Sequence, residues 1–271
     1  MITLSLLAGL IAAEPVRAQD ASAIRDSAWD PVIADGERML FIGNSYMANE
    51  GGVFNYLQKA LQQHDDFSIE VDKHIYYGQP LRRMLTDDVR SSIASDRFDT
   101  VVFTSERLET MKEFEELVRG SGKKSVVFVT WEGRHPGHNA TEEEYTEATR
   151  RTVQAMRQME KETGATTVPV AVAYHDLTLR PPMDVPRVDY LWMADNIHQN
   201  ELGTLVNMWM LYAILTGKSP VGIDIDMPPH IEGETLQDDS QVRATPEMRK
   251  ALQERVWKIA QQWKAGETHL D

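Results

Sequence analysis

The sequence predicts an α/β protein, a doubly wound parallel sheet with helices on both faces, and three observations predict it. Short apolar runs of strand length recur along the chain, with residues 39–42, 99–103 and 125–130 the clearest. Between them lie segments whose apolar residues return every three or four positions, the period of a helix with one buried face. The two kinds of segment alternate without a low-complexity linker, as crossover connections in a single parallel sheet require.

The first strand, residues 39–42, runs into Gly43, Asn44 and Ser45. After Gly51 and Gly52, the residues Val53, Tyr56, Leu57, Ala60 and Leu61 fall at helical spacing. Residues 67–71 alternate apolar and polar side chains, which predicts an edge strand running on to Gly78. Residues 80–93 predict a helix, with Pro80 tolerated in its first turn. The next strand, 99–103, is apolar enough to be buried on both faces, and a helix over 108–118 closes at Gly120 and Gly122. Residues 125–130 predict another buried strand, followed by a loop from Trp131 to Asn139. Thr141 and Glu144 make a capping-box pattern that opens a helix reaching about Thr163.

Residues 167–173 predict the fifth strand, and 174–194, proline-rich and without a period, predict a long loop over the carboxyl edge of the sheet. The helix after His198 sets Leu202, Leu205, Val206, Trp209 and Ala213 on one stripe and ends near Gly217. A stretch rich in Pro, Gly and Asp, 219–244, precedes a last helix opened by Thr245 and Pro246, with Leu252, Val256, Ile259, Ala260 and Trp263 facing inward. The expectation is a flavodoxin-like five-stranded parallel sheet between two helical layers, a three-layer sandwich.

Composition narrows the function classes. The 271 residues include no cysteine, which excludes a disulfide framework and a thiolate metal site. A net charge of -14 argues against nucleic acid and anionic membrane as partners, because both reward a basic surface. Residues 2–13 form an apolar run too short to span a bilayer, and Val16, Arg17 and Ala18 resemble a signal-peptidase site. The reading is therefore a signal peptide over 1–18, an N-terminal segment over 19–37 and one domain over 38–271, in a periplasmic or secreted bacterial protein.

The chemistry-bearing residues sit at two distant places. Ser45 follows the first strand, where open α/β sheets present ligands beyond the strands' carboxyl ends. A serine hydroxyl needs a base within hydrogen-bond reach, itself held by a third group. Asp195 and His198 suit that need, because their spacing in a turn lets the carboxylate hold one ring nitrogen and leaves the other for the serine. The Gly-x-Ser-x-Gly elbow is absent. His135 and His138 suggest a metal at first sight, but a Pro-Gly turn separates them and no third ligand is evident, so lining of the cleft is the expected role and no metal is expected. Trp131 either stacks on a sugar ring or packs beneath its loop, and Glu106, Arg107 and Arg134 are candidates to bond hydroxyls or a carboxylate.

This arrangement resembles the SGNH (GDSL-like) hydrolase superfamily over roughly residues 38–221, in a branch with Gly-Asn-Ser in the first block. The blocks that carry it are Phe41-Ile42-Gly43-Asn44-Ser45, Tyr77-Gly78-Gln79-Pro80-Leu81, and Asp195-Asn196-Ile197-His198 with the glycine-containing helix after it. The resemblance implies Ser45 as nucleophile, His198 as base and Asp195 as its orienting acid, with amides of Ser45 and Gly78 in the oxyanion hole and Asn44 beside the substrate. One departure stands out: the third block of the family ends its strand in an asparagine, and here Phe103 is followed by Thr104, Ser105, Glu106 and Arg107. Thr104, Ser105 or Asn139 is left to supply the missing donor. The implied activity is hydrolysis of an O-acetyl or other short acyl ester on a carbohydrate, by an exported enzyme without metal or organic cofactor. Two alternatives share the fold: a polysaccharide-cleaving enzyme using Asp195 or Glu106 with His198, and a glycan-binding protein without catalysis.

Overall fold

The computed structural model describes residues 27–105, 108–131, 134–185, 190–225, 245–268 and 270. Five parallel strands, β1 (Glu37–Gly43), β2 (Ile69–Ile75), β3 (Thr100–Thr104), β4 (Lys124–Phe128) and β5 (Thr166–Val168), form one sheet in the order β2-β1-β3-β4-β5. The helices are α1 (Ser45–Ala48), α2 (Val53–Asp65), α3 (Asp87–Ala94), α4 (Leu108–Gly120), α5 (Glu142–Thr163), α6 (Val170–Leu179), α7 (Glu201–Thr216) and α8 (Pro246–Lys264). Helices α2, α7 and α8 pack together over one face, and α3, α4 and α5 over the other. The doubly wound sandwich expected from the sequence is the one the chain adopts. Because β1 lies between β2 and β3, the winding reverses direction there, and the crevice that reversal opens lies beyond Gly43 and Thr104.

Burial explains the strand patterns. Met39 to Ile42 of β1 and Val101 to Phe103 of β3 are fully buried, as strands covered by helices on both faces must be. At the sheet edge, β2 buries Ile69 and exposes Glu70, which is the alternation seen in its sequence. At the amino ends, buried Glu37 accepts from Thr100 Oγ1 and pairs with Lys124 Nζ at 2.7 Å, tying β1, β3 and β4 together. Residues 27–36 dock on the last two helices: Ala28 N–H donates to the Gly217 carbonyl and the Trp29 ring stacks on Trp257 at 5.2 Å.

Three elements depart from expectation. The segment 80–93 is not one helix, because Leu81–Arg83 makes only a 3-10 turn and the Thr86 side chain then accepts from Val89 N–H, starting α3 afresh at Asp87. The fifth strand stops at Val168, since Pro169 has no N–H to continue a ladder, and the apolar run that follows is the buried helix α6. That helix occupies the first part of the expected loop 174–194. Helix α7 is buried from Leu202 to Thr216 on every side, not along one stripe, because α2, α6, α8 and β5 all pack on it.

The expected signal peptide, 1–18, and most of the stretch 219–244 lie outside the described residues. Among the described residues no helix is long and apolar enough to cross a membrane.

Candidate active site

Local chemistry at the end of β1 sets the serine. A Cβ on Gly43 would meet Met47 Sδ at 2.3 Å, so glycine at the end of the strand lets the Met47 side chain pack against the backbone as the chain turns into α1. Asn44 caps α1, its Oδ1 accepting from Tyr46 N–H at 3.1 Å, while its Nδ2 donates to the Gln79 carbonyl at 3.3 Å. Each end of that amide has a protein partner, so Asn44 braces the turn after β1 against the loop that carries Gln79. Ser45 opens α1 and is 8% exposed.

The carboxylate and the imidazole come from a tight turn before α7. Asp195 Oδ1 accepts from the amides of Ile197 and His198, both at 2.9 Å, and Asn196 takes a left-handed conformation at φ 56. Asp195 Oδ2 lies 2.6 Å from His198 Nδ1, and His198 Nε2 lies 2.8 Å from Ser45 Oγ. A carboxylate only accepts, so Nδ1 carries the ring proton and the Nε2 lone pair of the neutral imidazole faces the hydroxyl. Partial burial pushes the Asp195 carboxyl up, but hydrogen bonds from the His198 ring and from the amides of His198 and Ile197 outweigh it and hold the group below the usual carboxylate range.

The loop after β4 supports this turn from below. Trp131 is 4% exposed, its ring stacks on Tyr174 at 4.2 Å with 8° between planes, and its Nε1 donates to the Ile197 carbonyl at 3.1 Å. It packs beneath the loop, and the expectation that it stacks on a sugar fails because the ring is covered. His135 is fully buried, stacks on Trp192 at 3.7 Å and reaches the Asn196 carbonyl with Nε2 at 3.2 Å. It does not line the cleft, and among the described residues no cluster of three metal-ligating side chains exists. Arg134 is exposed and donates from Nε to the Asn139 carbonyl of its own loop at 3.0 Å.

The remaining candidates divide. Gly78 is exposed, with φ +67 and open space around it, so backbone conformation and not crowding selects glycine there. Thr104 is 1% exposed beside the end of β1, and its Oγ1 has no hydrogen-bond partner among the described residues. Ser105 Oγ is engaged, accepting from Thr130 N–H at 2.9 Å and sharing a bond with Thr130 Oγ1 at 3.1 Å. Glu106 and Arg107 lie outside the described residues. Two neighbours of His198 carry no signature in the sequence. Tyr46 sets its ring 5.8 Å from that of His198, and Gln199 is wholly buried beside it. Nothing in the sequence marks Gln199, whose partners, the carbonyls of Ser45 and Tyr46, lie 154 and 153 residues away.

Fold and site define a class of protein, a doubly wound α/β sandwich that gathers a serine, a histidine and an aspartate at its switch point. No family model and no curated protein sequence matches the chain. Among solved structures, a DUF4886 family protein from Bacteroides uniformis superposes with a TM-score of 0.56 and 16% identity, over 83% of this chain and 95% of that one. Axe2, an acetylxylan esterase from Geobacillus stearothermophilus solved as a catalytic serine-to-alanine variant, superposes with a TM-score of 0.53 and 15% identity, over 69% of this chain and 97% of its own. At these identities the likeness is one of fold.

Proposed function

We propose that the chain is an exported serine hydrolase that cleaves an ester, an O-acetyl or other short acyl group on a carbohydrate. The observation that carries the reading is the unbroken relay from Asp195 Oδ2 through His198 to Ser45 Oγ, with links of 2.6 and 2.8 Å. Both distances lie within the reach that proton transfer needs. In this mechanism Ser45 attacks the acyl carbonyl as its proton passes to His198 Nε2. The imidazolium, stabilised by Asp195, returns the proton to the leaving alcohol, and water then releases the acyl group by the same route.

The developing oxyanion needs donors, and Ser45 N–H is the first amide of α1, one that a helix leaves without an internal partner. Gly78 N–H and the hydroxyl of Thr104 complete the reading, Thr104 taking the place of the asparagine expected in the third block. The substrate class rests on the fold shared with an acetylxylan esterase and on the expected signal peptide. Glycosidic cleavage through Asp195 suits the site less well: an acid for that chemistry must hold a proton, and Asp195 is kept ionised with both oxygens engaged.

The test is acetate release from an aryl acetate and from acetylated xylan, comparing the unaltered protein with Ser45→Ala. A drop of about a thousandfold or more in the variant is expected. No release by the unaltered protein, or equal release by the variant, would overturn the reading.

A further inference from the structure

We propose that Gln199 is a positioning residue that sets the separation of Ser45 and His198, an inference that rests on the acyl-transfer reading above. The two partners lie 153 residues apart and sit on different elements, α1 and the turn before α7. The hydrogen bond between them is itself remade in each cycle, so it cannot be what holds them in register. Gln199 spans the same gap with a bond the chemistry never touches. Its Nε2 donates to the carbonyls of Tyr46 at 3.0 Å and Ser45 at 3.3 Å, and the residue is wholly buried.

The orientation of that amide is set by its surroundings, since two carbonyls can face only the NH2 end. The tether is short on both sides. On one side it grips the backbone of the serine itself and of the next residue. On the other it is the immediate neighbour of His198, and its backbone bridges Trp192 across the base of the turn. The next residue, Asn200, fixes the chain further, donating from Nδ2 to the carbonyls of Tyr190 and Trp192 and accepting from Gly203 N–H. Gly203 in turn gives the glutamine room: a Cβ there would stand 2.9 Å from Gln199 Cβ. A shift of Gln199 therefore moves the base relative to the nucleophile, and a displacement of about 1 Å at such a site costs on the order of 100-fold in rate.

The alternative is that Gln199 only satisfies two carbonyls at the end of a short helical turn, a matter of stability alone. Labelling by a fluorophosphonate probe separates the two, because Ser45 Oγ displaces fluoride from phosphorus as its proton passes to His198, whatever the natural substrate. The proteins compared are the unaltered chain, Ser45→Ala, Gln199→Met and Gln199→Glu, each with its melting temperature. Gln199→Met keeps the volume and removes the donor. It is expected to label about 10- to 100-fold more slowly while remaining folded at the assay temperature, and to lower kcat on an ester with KM unchanged.

Gln199→Glu adds a pH signature. A protonated carboxyl can still donate to a carbonyl, whereas a carboxylate cannot, so its labelling rate relative to the unaltered protein should fall as pH rises. A Gln199→Met protein that labels at the unaltered rate overturns the inference and leaves the hydrolase reading intact. An unaltered protein that resists the probe, like Ser45→Ala, overturns the hydrolase reading and this inference with it. Should Gln199→Met not fold, Gln199→Asn carries the same comparison, with an amide one methylene too short to reach both carbonyls.

Discussion

Asp195 holds His198 at two points and the residue before it at a third: Oδ2 takes the ring at Nδ1 at 2.6 Å, and Oδ1 takes the backbone amides of His198 itself and of Ile197 at 2.9 Å each. One carboxylate thereby fixes both the position of the imidazole and its tautomer. Asp195→Asn keeps the shape but can offer its NH2 to Nδ1, which favours the tautomer with the proton on Nε2 and removes the acceptor that Ser45 needs. The expected result is a loss of kcat of about 10⁴-fold, read in ester hydrolysis at saturating substrate. A variant within tenfold of the unaltered protein would show that the tautomer is set by something else.

What the sequence disclosed about this site follows the range of the forces involved. The end of β1, the capping box of Thr141 and Glu144, and the Thr245 and Pro246 start of α8 are written in neighbouring residues, and each is found where it was expected. The expected fifth strand overruns the observed one because 170–173 is apolar without a period, and such a run reads equally as buried strand or buried helix until its neighbours are known. Trp131 was ambiguous for a related reason: whether an indole lies open or covered depends on Tyr174 and Ile197, both distant in sequence. Asp195 and His198 are legible as a pair because three residues in a turn bring a carboxylate to an imidazole, and Ser45 because it follows the first strand, where the folded chain sets its Oγ 2.8 Å from His198 Nε2. Gln199 carries no such signature, and its partners appear only when the chain is folded.

The absence of an asparagine after β3 directs attention to Thr104. Its hydroxyl is buried next to the end of β1 and meets no protein partner among the described residues, while Ser105 is tied to Thr130. Thr104→Val preserves shape and deletes the donor. It should lower kcat by about 100-fold, near the lower end for loss of one oxyanion donor, with little change in KM. Ser105→Ala should cost far less in rate and show itself mainly in thermal stability. The reverse order in paired kinetic measurements would assign the donor to Ser105.

Gly203 is held to glycine by backbone and not by conformation. A Cβ there would come within 2.4 Å of the Leu191 carbonyl oxygen and 2.5 Å of the Tyr174 hydroxyl. The carbonyl belongs to the chain that leads into the Asp195 turn and already accepts from Asn200 N–H, so it has little freedom to withdraw. Gly203→Ala is expected to destabilise the fold by about 1 to 3 kcal/mol, the usual cost of overpacking, in urea denaturation. Because the strain falls on the turn that carries His198, activity should decline even under conditions where the variant remains fully folded. Unchanged denaturation midpoint and unchanged kcat together would refute the close approach.

Stability towards acid should depend on His175. This residue is 2% exposed, and its Nε2 meets Thr146 Oγ1 at 2.9 Å. Burial pushes the imidazole down to about 4, with Arg180 adding to the effect and Asp176 opposing it. In the unfolded chain the same group titrates near its ordinary value of about 6.5. Between those two values the unfolded state binds a proton that the folded state refuses, so stability falls as pH falls from about 6.5 to about 4. Above that window the group contributes no pH dependence, and below it the folded state is protonated too. His175→Gln keeps a polar partner for Thr146 and cannot ionise. Urea denaturation at pH 7.5 and pH 4.5 should therefore show a smaller loss of stability on acidification in the variant, by about 1 to 3 kcal/mol. Equal losses in both proteins would mean that His175 is protonated in the folded state at pH 4.5, and that other groups drive the acid sensitivity.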